Sequence, residues 1–346
     1  MTTAPRPPYR ADETALTFPT GGYLWPGMGD DLAGSAHAPL LAQADAALGA
    51  LGVARGALAR LMAGDGQARR AREPDGWSWS GDFPLSMVAQ AVLGVALARE
   101  AVRVHGAPRV LLGESMGEIA AYCAAGALPL ADAVTLTYRW AQALAVASDH
   151  LGLRMGVVED LEEGEVEELA PALDARIVVA EGPHLFVVAL PRDRLEALAA
   201  AVERRGGRTH VSNNHCAAHD PRLAQVAGPW DAHAALIAAL PLQAPALPLL
   251  STLDPGRPLE TEAALRRNRL LTSFTRVRWD EALHTLPALG VRNVLQLGSP
   301  SSAYALKKLR GEDAGLRHVR IDVVGTLAAV RALPARLPPA ARAGSL

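Results

Sequence analysis

The chain is expected to be an α/β protein whose parallel-sheet, hydrolase-like core is interrupted by an inserted ferredoxin-like α+β subdomain, and three observations carry that expectation. The first is the run Arg109-Val110-Leu111-Leu112, then Gly113-Glu114-Ser115-Met116-Gly117-Glu118, then Ile119 to Ala125, which reads as strand, tight turn and helix. The second is the order of patterns around it, strand and helix alternating as parallel strands require. The third is residues 151–211, where the patterns follow as β-α-β-β-α-β.

Composition narrows the rest. At 346 residues, half of them hydrophobic, the chain can bury one large core or two unequal ones. A formal net charge of -2 gives no electrostatic reason to expect nucleic acid or an anionic membrane as partner. Cys123 and Cys216 have no metal-ligand spacing and form no evident disulfide framework, which suits a reducing cytoplasm. The first twenty residues hold Arg6, Arg10, Asp12 and Glu13 without an apolar stretch, so no signal peptide is expected. The longest apolar run, Ala234 to Leu250, is broken by Pro241, Pro245 and Pro248 and is too interrupted to span a bilayer.

Taken in order, residues 1–16, with prolines at 5, 7 and 8, read as a flexible arm. Tyr23-Leu24-Trp25 reads as the first strand, ending in the loop Pro26-Gly27-Met28-Gly29, whose glycines let backbone amides face a ligand. Helices are expected at 38–52 and 54–64, then a polar loop through Asp82. Pro84 to His105 carries Met87, Ala91, Val95 and Val102 at helical spacing. The helix after Ser115 should stop at Gly126, and Pro129 should open another that runs to about Asp149.

Strands at 154–158, 176–180, 185–189 and 209–211 with helices at 164–173 and 192–205 make up the subdomain. Beyond it come a strand at 248–252, a helix over 261–288, a strand at 291–297, a helix at 301–310 and a strand at 319–324. The expected organisation is an arm at 1–16, a core at 17–150 and 212–330, a subdomain at 151–211 and a loose tail at 334–346.

Gly-x-Ser-x-Gly between strand and helix is the nucleophile-elbow pattern. Its glycines allow a turn too tight for a Cβ, and the hydroxyl projects into an open site. Amides at the start of the next helix can then stabilise an oxyanion. Ser115 is the candidate nucleophile; the competing reading is a glycine-rich turn whose serine only caps a helix. A serine needs a base, and of the ten histidines His219 stands where the chain returns from the subdomain to the core, with His215 as its competitor.

With these residues in place the sequence resembles the malonyl-CoA:acyl-carrier-protein transacylases and polyketide synthase acyltransferases. Tyr23 to Gly29 is similar to that family's Phe-Pro-Gly-Gln-Gly block, 113–118 to its Gly-His-Ser-x-Gly-Glu elbow, and 217–223 to its Ala-Ser-His-Ser-Pro block. Residues 248–256 and 295–300 resemble its C-terminal signatures, and the inserted subdomain is a further shared feature. The resemblance implies a Ser115–His219 dyad, an acyl-enzyme, and oxyanion donors from the backbone of Met28 and Met116. It implies a CoA or phosphopantetheine thioester as substrate, an acyl carrier protein as partner, no bound cofactor or metal, and a cytoplasmic enzyme expected to be monomeric.

The departures gather at the acyl pocket. Glu114 replaces the elbow histidine, Met28 the loop glutamine, and Ser86 or Met87 falls where a second glutamine is expected. Cys216 opens a block that reads Cys-Ala-Ala-His, unlike the extender signatures Tyr-Ala-Ser-His and His-Ala-Phe-His. The arginine that holds an extender carboxylate falls on Trp140 when counted without gaps, or on Arg139 if the count slips by one. An indole there removes the bidentate carboxylate partner, and Glu114 repels an anion. Glu114, Trp140, Met87 and Cys216 are therefore the expected acyl-binding residues, and a non-carboxylated starter-type acyl group the expected cargo. The competing expectations are an editing hydrolase of acyl carrier proteins, a transferase for an amine-bearing acyl group with Glu114 as counter-ion, and a non-catalytic carrier-docking protein.

Overall fold

The computed structural model describes residues 9–21, 27–63, 83–211, 216–298, 303–312 and 314–334. Its first strand is β1 (Thr14–Phe18), followed by α1 (Ala38–Ala50), α2 (Ala57–Met62), α3 (Phe83–His105), β2 (Val110–Gly113), α4 (Gly117–Ala124) and α5 (Leu130–Leu151). The middle of the chain gives β3 (Leu153–Glu159), α6 (Glu163–Leu169), β4 (Arg176–Gly182), β5 (Leu185–Pro191), α7 (Leu195–Glu203) and β6 (Arg208–Val211). The last third gives α8 (Ala227–Ala239), β7 (Leu249–Leu250), α9 (Glu262–Thr272), β8 (Val277–Arg278), α10 (Trp279–His284), β9 (Asn293–Leu297), α11 (Ala303–Glu312), β10 (Arg320–Val324) and α12 (Leu327–Arg331).

Among the described residues the strands form two sheets. The larger has the order β10-β9-β1-β2-β7, and every pairing in it is parallel. Parallel strands with helical crossovers bury both faces, and β1 and β2 accordingly have no exposed residue. The second sheet has the order β6-β3-β5-β4-β8. Its first four strands are antiparallel neighbours in the arrangement of a β-α-β-β-α-β unit, and β8, from the far end of the chain, joins beside β4 in parallel. A separate small core that includes Val158, Phe186, Leu190 and Val202 lies between this sheet and its helices.

Two expectations change. The arm expected at 1–16 runs into the central strand of the main sheet, which begins at Thr14: all five residues of β1 are buried, and Thr17 spends its hydroxyl on the Gln296 side chain of β9. The strand expected at Tyr23-Leu24-Trp25 lies outside the described residues, as do His215 and residues 335–346. The single helix expected over 261–288 is two, because the backbone of Arg278 donates to Thr252 and Val277 pairs with Val179, which pulls this stretch into the second sheet.

α3 is the one described helix long and apolar enough to cross a membrane, and most of it is buried, chiefly against α5, α4 and α12. Gly94 of α3 lies against the ring of Phe18, so helix and central strand approach closely.

Candidate active site

Ser115 sits between β2 and α4 with φ of 55°, in the left-handed region that non-glycine residues rarely occupy. The turn is held from three sides. A Cβ at Gly113 would strike the backbone of Gly117 and Glu118, and one at Gly117 would strike the carbonyls of Phe18 and Pro19. Glu114 donates its backbone N–H to Phe18 O at 2.9 Å, tying the elbow to the end of β1. Strained backbone persists where the surroundings over-determine it, and here they do.

His219 also lies in the left-handed region, at φ 62°. Its Nε2 is 2.7 Å from Ser115 Oγ, and its Nδ1 is 2.6 Å from the carbonyl oxygen of Thr272 at the end of α9. A carbonyl only accepts, so Nδ1 carries the proton and Nε2 is left to accept from the serine hydroxyl. Burial pushes the imidazole down to about 4, with a smaller opposing contribution from the Thr272 carbonyl, so the ring is neutral at pH 7. The neighbouring Asp220 does not orient it: its carboxylate takes the backbone N–H of Arg222 at 2.8 Å and pairs with the Arg222 guanidinium at 2.6 Å. Ser115, expected as nucleophile, and His219, expected as base, are thus brought together with the geometry a dyad needs.

Beneath the elbow, Glu118, the last residue of the elbow motif, anchors a buried polar cluster whose other members no sequence motif marks. Glu118 accepts from the Thr272 hydroxyl at 2.8 Å and from the Asn268 amide, and faces Arg269 at 3.4 Å. Arg269 is wholly buried, stacked 4.4 Å from the Trp140 ring centroid, and its Nε and one Nη have no hydrogen-bond partner among the described residues. Trp140 donates its indole N–H to Ser273 Oγ at 2.9 Å. The helix end that carries the acceptor for His219 is therefore braced by Glu118 on one side and Trp140 on the other.

A cavity opens off Ser115 and His219, and Glu114, Trp140, Met87 and Cys216, the four expected acyl-binding residues, all line it. Phe83 at the start of α3 and Glu181 on β4 line it too, and neither was expected there. Arg139 does not: it is exposed on α5, bonded to Gln142, and borders a separate groove beside α8. Adjacent helical residues point about 100° apart, so a one-residue difference decides between indole and guanidinium.

Met28, expected to lend its backbone amide to an oxyanion, stands in the turn that follows Gly27. Its side chain is wholly buried and does not line the cavity, and a Cβ at its neighbour Gly29 would meet Met62 and Leu32. The loop that reaches the elbow is the one directly after β1. Thr20 lines the cavity and donates its backbone N–H to the Glu114 carboxylate, and a Cβ on Gly21 would lie 3.6 Å from that of Met116. Pro19 to Gly21 is thus the described stretch that meets the elbow, and Tyr23 to Pro26 lie outside the described residues.

Strand, elbow, buried imidazole and inserted subdomain together define an acyl transferase domain, and comparison with known proteins agrees. The family model described as "Acyl transferase domain" matches residues 18–254, well over half the chain, so the chain belongs to this family, that of the malonyl-CoA:acyl-carrier-protein transacylases and polyketide synthase acyltransferases. Polyketide synthase GfsA of Streptomyces halstedii is 29% identical over 293 residues, 81% of this chain and 4% of that protein. Erythronolide synthase EryA2 of Saccharopolyspora erythraea is 30% identical over 267 residues, 76% of this chain and 7% of that one. The chain thus spans a small fraction of the length of these relatives. Among solved structures, a malonyl CoA-acyl carrier protein transacylase from Coxiella burnetii superposes with TM-score 0.77 at 20% identity, over 93% of this chain and 98% of that one. A type II polyketide synthase acyl-carrier protein in complex with its malonyl-transacylase matches with TM-score 0.76 at 21% identity, over 93% and 99%. These likenesses establish the fold.

Proposed function

We propose that this chain is a polyketide-type acyltransferase that takes a non-carboxylated acyl group from a CoA or carrier-protein thioester onto Ser115 and passes it to the phosphopantetheine thiol of an acyl carrier protein. The observation that carries the proposal is a neutral His219 poised 2.7 Å from Ser115 at the mouth of a cavity walled by Trp140, with Arg139 outside it.

In the forward half-reaction His219 Nε2 takes the hydroxyl proton as Ser115 Oγ bonds to the thioester carbon. The C–S bond then breaks, and the leaving thiolate takes the proton back from Nε2. The second half-reaction reverses these steps with the carrier thiol as nucleophile. The tetrahedral oxyanion would rest on the backbone amides of Met116 and Gly21, the latter in place of Met28. Met116 N–H makes no backbone hydrogen bond among the described residues. Each such donor contributes roughly 3 to 4 kcal/mol in comparable acyl-transfer sites.

The cargo follows from the cavity wall. A malonyl carboxylate would enter a space bordered by Glu114 and Glu181, with no Lys or Arg among the described lining residues. The hydrolase alternative would need Glu114 as a base for water. Burial and the nearby Glu181 push that carboxyl well above its ordinary range, which disfavours the ionised form that role needs. Intact-mass measurement of Ser115 acylation by acetyl-, propionyl- and malonyl-CoA tests the proposal: the uncharged groups should load faster, and preferential loading of malonyl would overturn it.

A further inference from the structure

The acyl cavity holds a pair of carboxyl groups that the dyad chemistry does not use. Glu114 comes from the elbow and Glu181 from the end of β4 in the second sheet, so two distant parts of the chain deliver acids to the same space. The remaining wall is largely apolar, with Trp140, Leu144, Met155 and Val187 among its members. Arg269 is shut behind the Trp140 ring and pairs with Glu118, and among the described residues it pairs with neither acid.

Among the described residues this cavity is lined by both Ser115 and His219, so it is where the acyl group is taken to lie. We infer that the acyl group carries a cationic nitrogen, an ammonium or guanidinium, held between the carboxylates of Glu114 and Glu181. The inference rests on the acyltransferase reading above and sharpens it from a non-carboxylated cargo to a positively charged one.

The chemistry of the pair supports it. Glu114 receives one backbone N–H, from Thr20, and Glu181 has no hydrogen-bond or ion-pair partner among the described residues. Burial, together with the charge of Glu159, raises the Glu181 carboxyl to about 7. Two acids facing each other in an apolar pocket cannot both ionise without a counter-charge. A cation between them supplies it, releasing the shared proton as it binds. A neutral acyl chain would leave the two acids crowded and uncompensated, and a carboxylate would add a third. The cation sits at the far end of the acyl group, so its recognition is compatible with attack at the thioester carbon.

Four thioesters of matched chain length separate the outcomes, each offered as the N-acetylcysteamine thioester to the wild-type protein, with Ser115 acylation followed by intact mass. The four are 4-aminobutyryl, 4-guanidinobutyryl, the neutral valeryl and the carboxylated glutaryl. At least one cationic chain should load ten-fold or more faster than valeryl, and glutaryl should load slowest. The two cationic chains decide between ammonium and guanidinium. Glu181→Gln should collapse the cation-to-neutral ratio at least five-fold, a readout that a general loss of folded protein would not move. Equal or faster loading of valeryl overturns the inference while leaving the acyltransferase reading intact. No acyl-enzyme from any of the four thioesters, nor from the acyl-CoAs above, overturns both.

Discussion

Replacing Glu118 by glutamine should destabilise the protein far more than a change of one atom suggests. Glu118 and Arg269 are both buried, 2% and 0% exposed, with 3.4 Å between carboxylate oxygen and guanidinium nitrogen. At that separation and an effective dielectric near 20, their attraction is about 5 kcal/mol. Burial nonetheless raises the Glu118 carboxyl and lowers the Arg269 guanidinium, so desolvation outweighs the attraction at both ends of the pair. The pair is therefore a compensated cost rather than a source of stability. Glu118→Gln removes the compensation and leaves a cation stacked on Trp140, with two of its nitrogens already unpartnered. The expected loss is about 3 to 5 kcal/mol, read from urea unfolding. Adding Arg269→Met removes the stranded charge and should recover most of that loss, because an apolar replacement of similar volume leaves nothing to compensate. A single variant that costs less than about 1 kcal/mol, or a double variant no more stable than the single one, would refute the reasoning.

Other expectations are more direct. With His219 held at about 4, the rate of Ser115 acylation by an uncharged acyl-CoA should be flat from pH 8 to pH 5 and fall only as the ring protonates near 4; a midpoint near the ordinary histidine value would contradict its burial. His233, buried beside Trp230 with both ring nitrogens unpartnered among the described residues, is pushed down to about 3. Its folded value lies below its unfolded one, so the stability it permits at neutral pH is lost as pH falls through the unfolded value toward 3. His233→Leu should thus gain about 2 kcal/mol at pH 5 relative to the same comparison at pH 8, measured by urea midpoints at both. Arg139→Ala should leave the acyl-CoA loading profile unchanged, since the side chain is exposed and borders a different groove; an altered profile would place Arg139 in the acyl site.

What could be read from sequence was local. The elbow is legible because glycine at 113 and 117 answers a steric demand within a few residues, and His219 because it follows the return from the subdomain. β1 was hidden by its own composition: Thr14 and Thr17 interrupt its apolar run, and Arg10, Asp12 and Glu13 precede it, yet the interior accepts Thr17 because Gln296 takes its hydroxyl. Two glycine-containing stretches follow β1 in the sequence, and nothing in their composition says that the first is the one that meets the elbow. Glu181, Thr272 and Arg269 reach the site only through tertiary packing. The one available hint was an acid in the otherwise apolar strand Arg176-Ile177-Val178-Val179-Ala180-Glu181-Gly182.

The acceptor that orients His219 is a main-chain oxygen, and that changes what mutation can do to this site. No codon change at position 272 deletes a peptide carbonyl, whereas a carboxylate in the same role could be lost in a single step. The side chain of Thr272 is meanwhile free for a separate task, bonding Glu118. Evolution can adjust the basicity of the histidine only by moving the end of α9. Variation that tunes this enzyme's nucleophile should therefore accumulate in the packing around that helix, at Asn268, Arg269 and Ser273, and not at the residue that touches the imidazole.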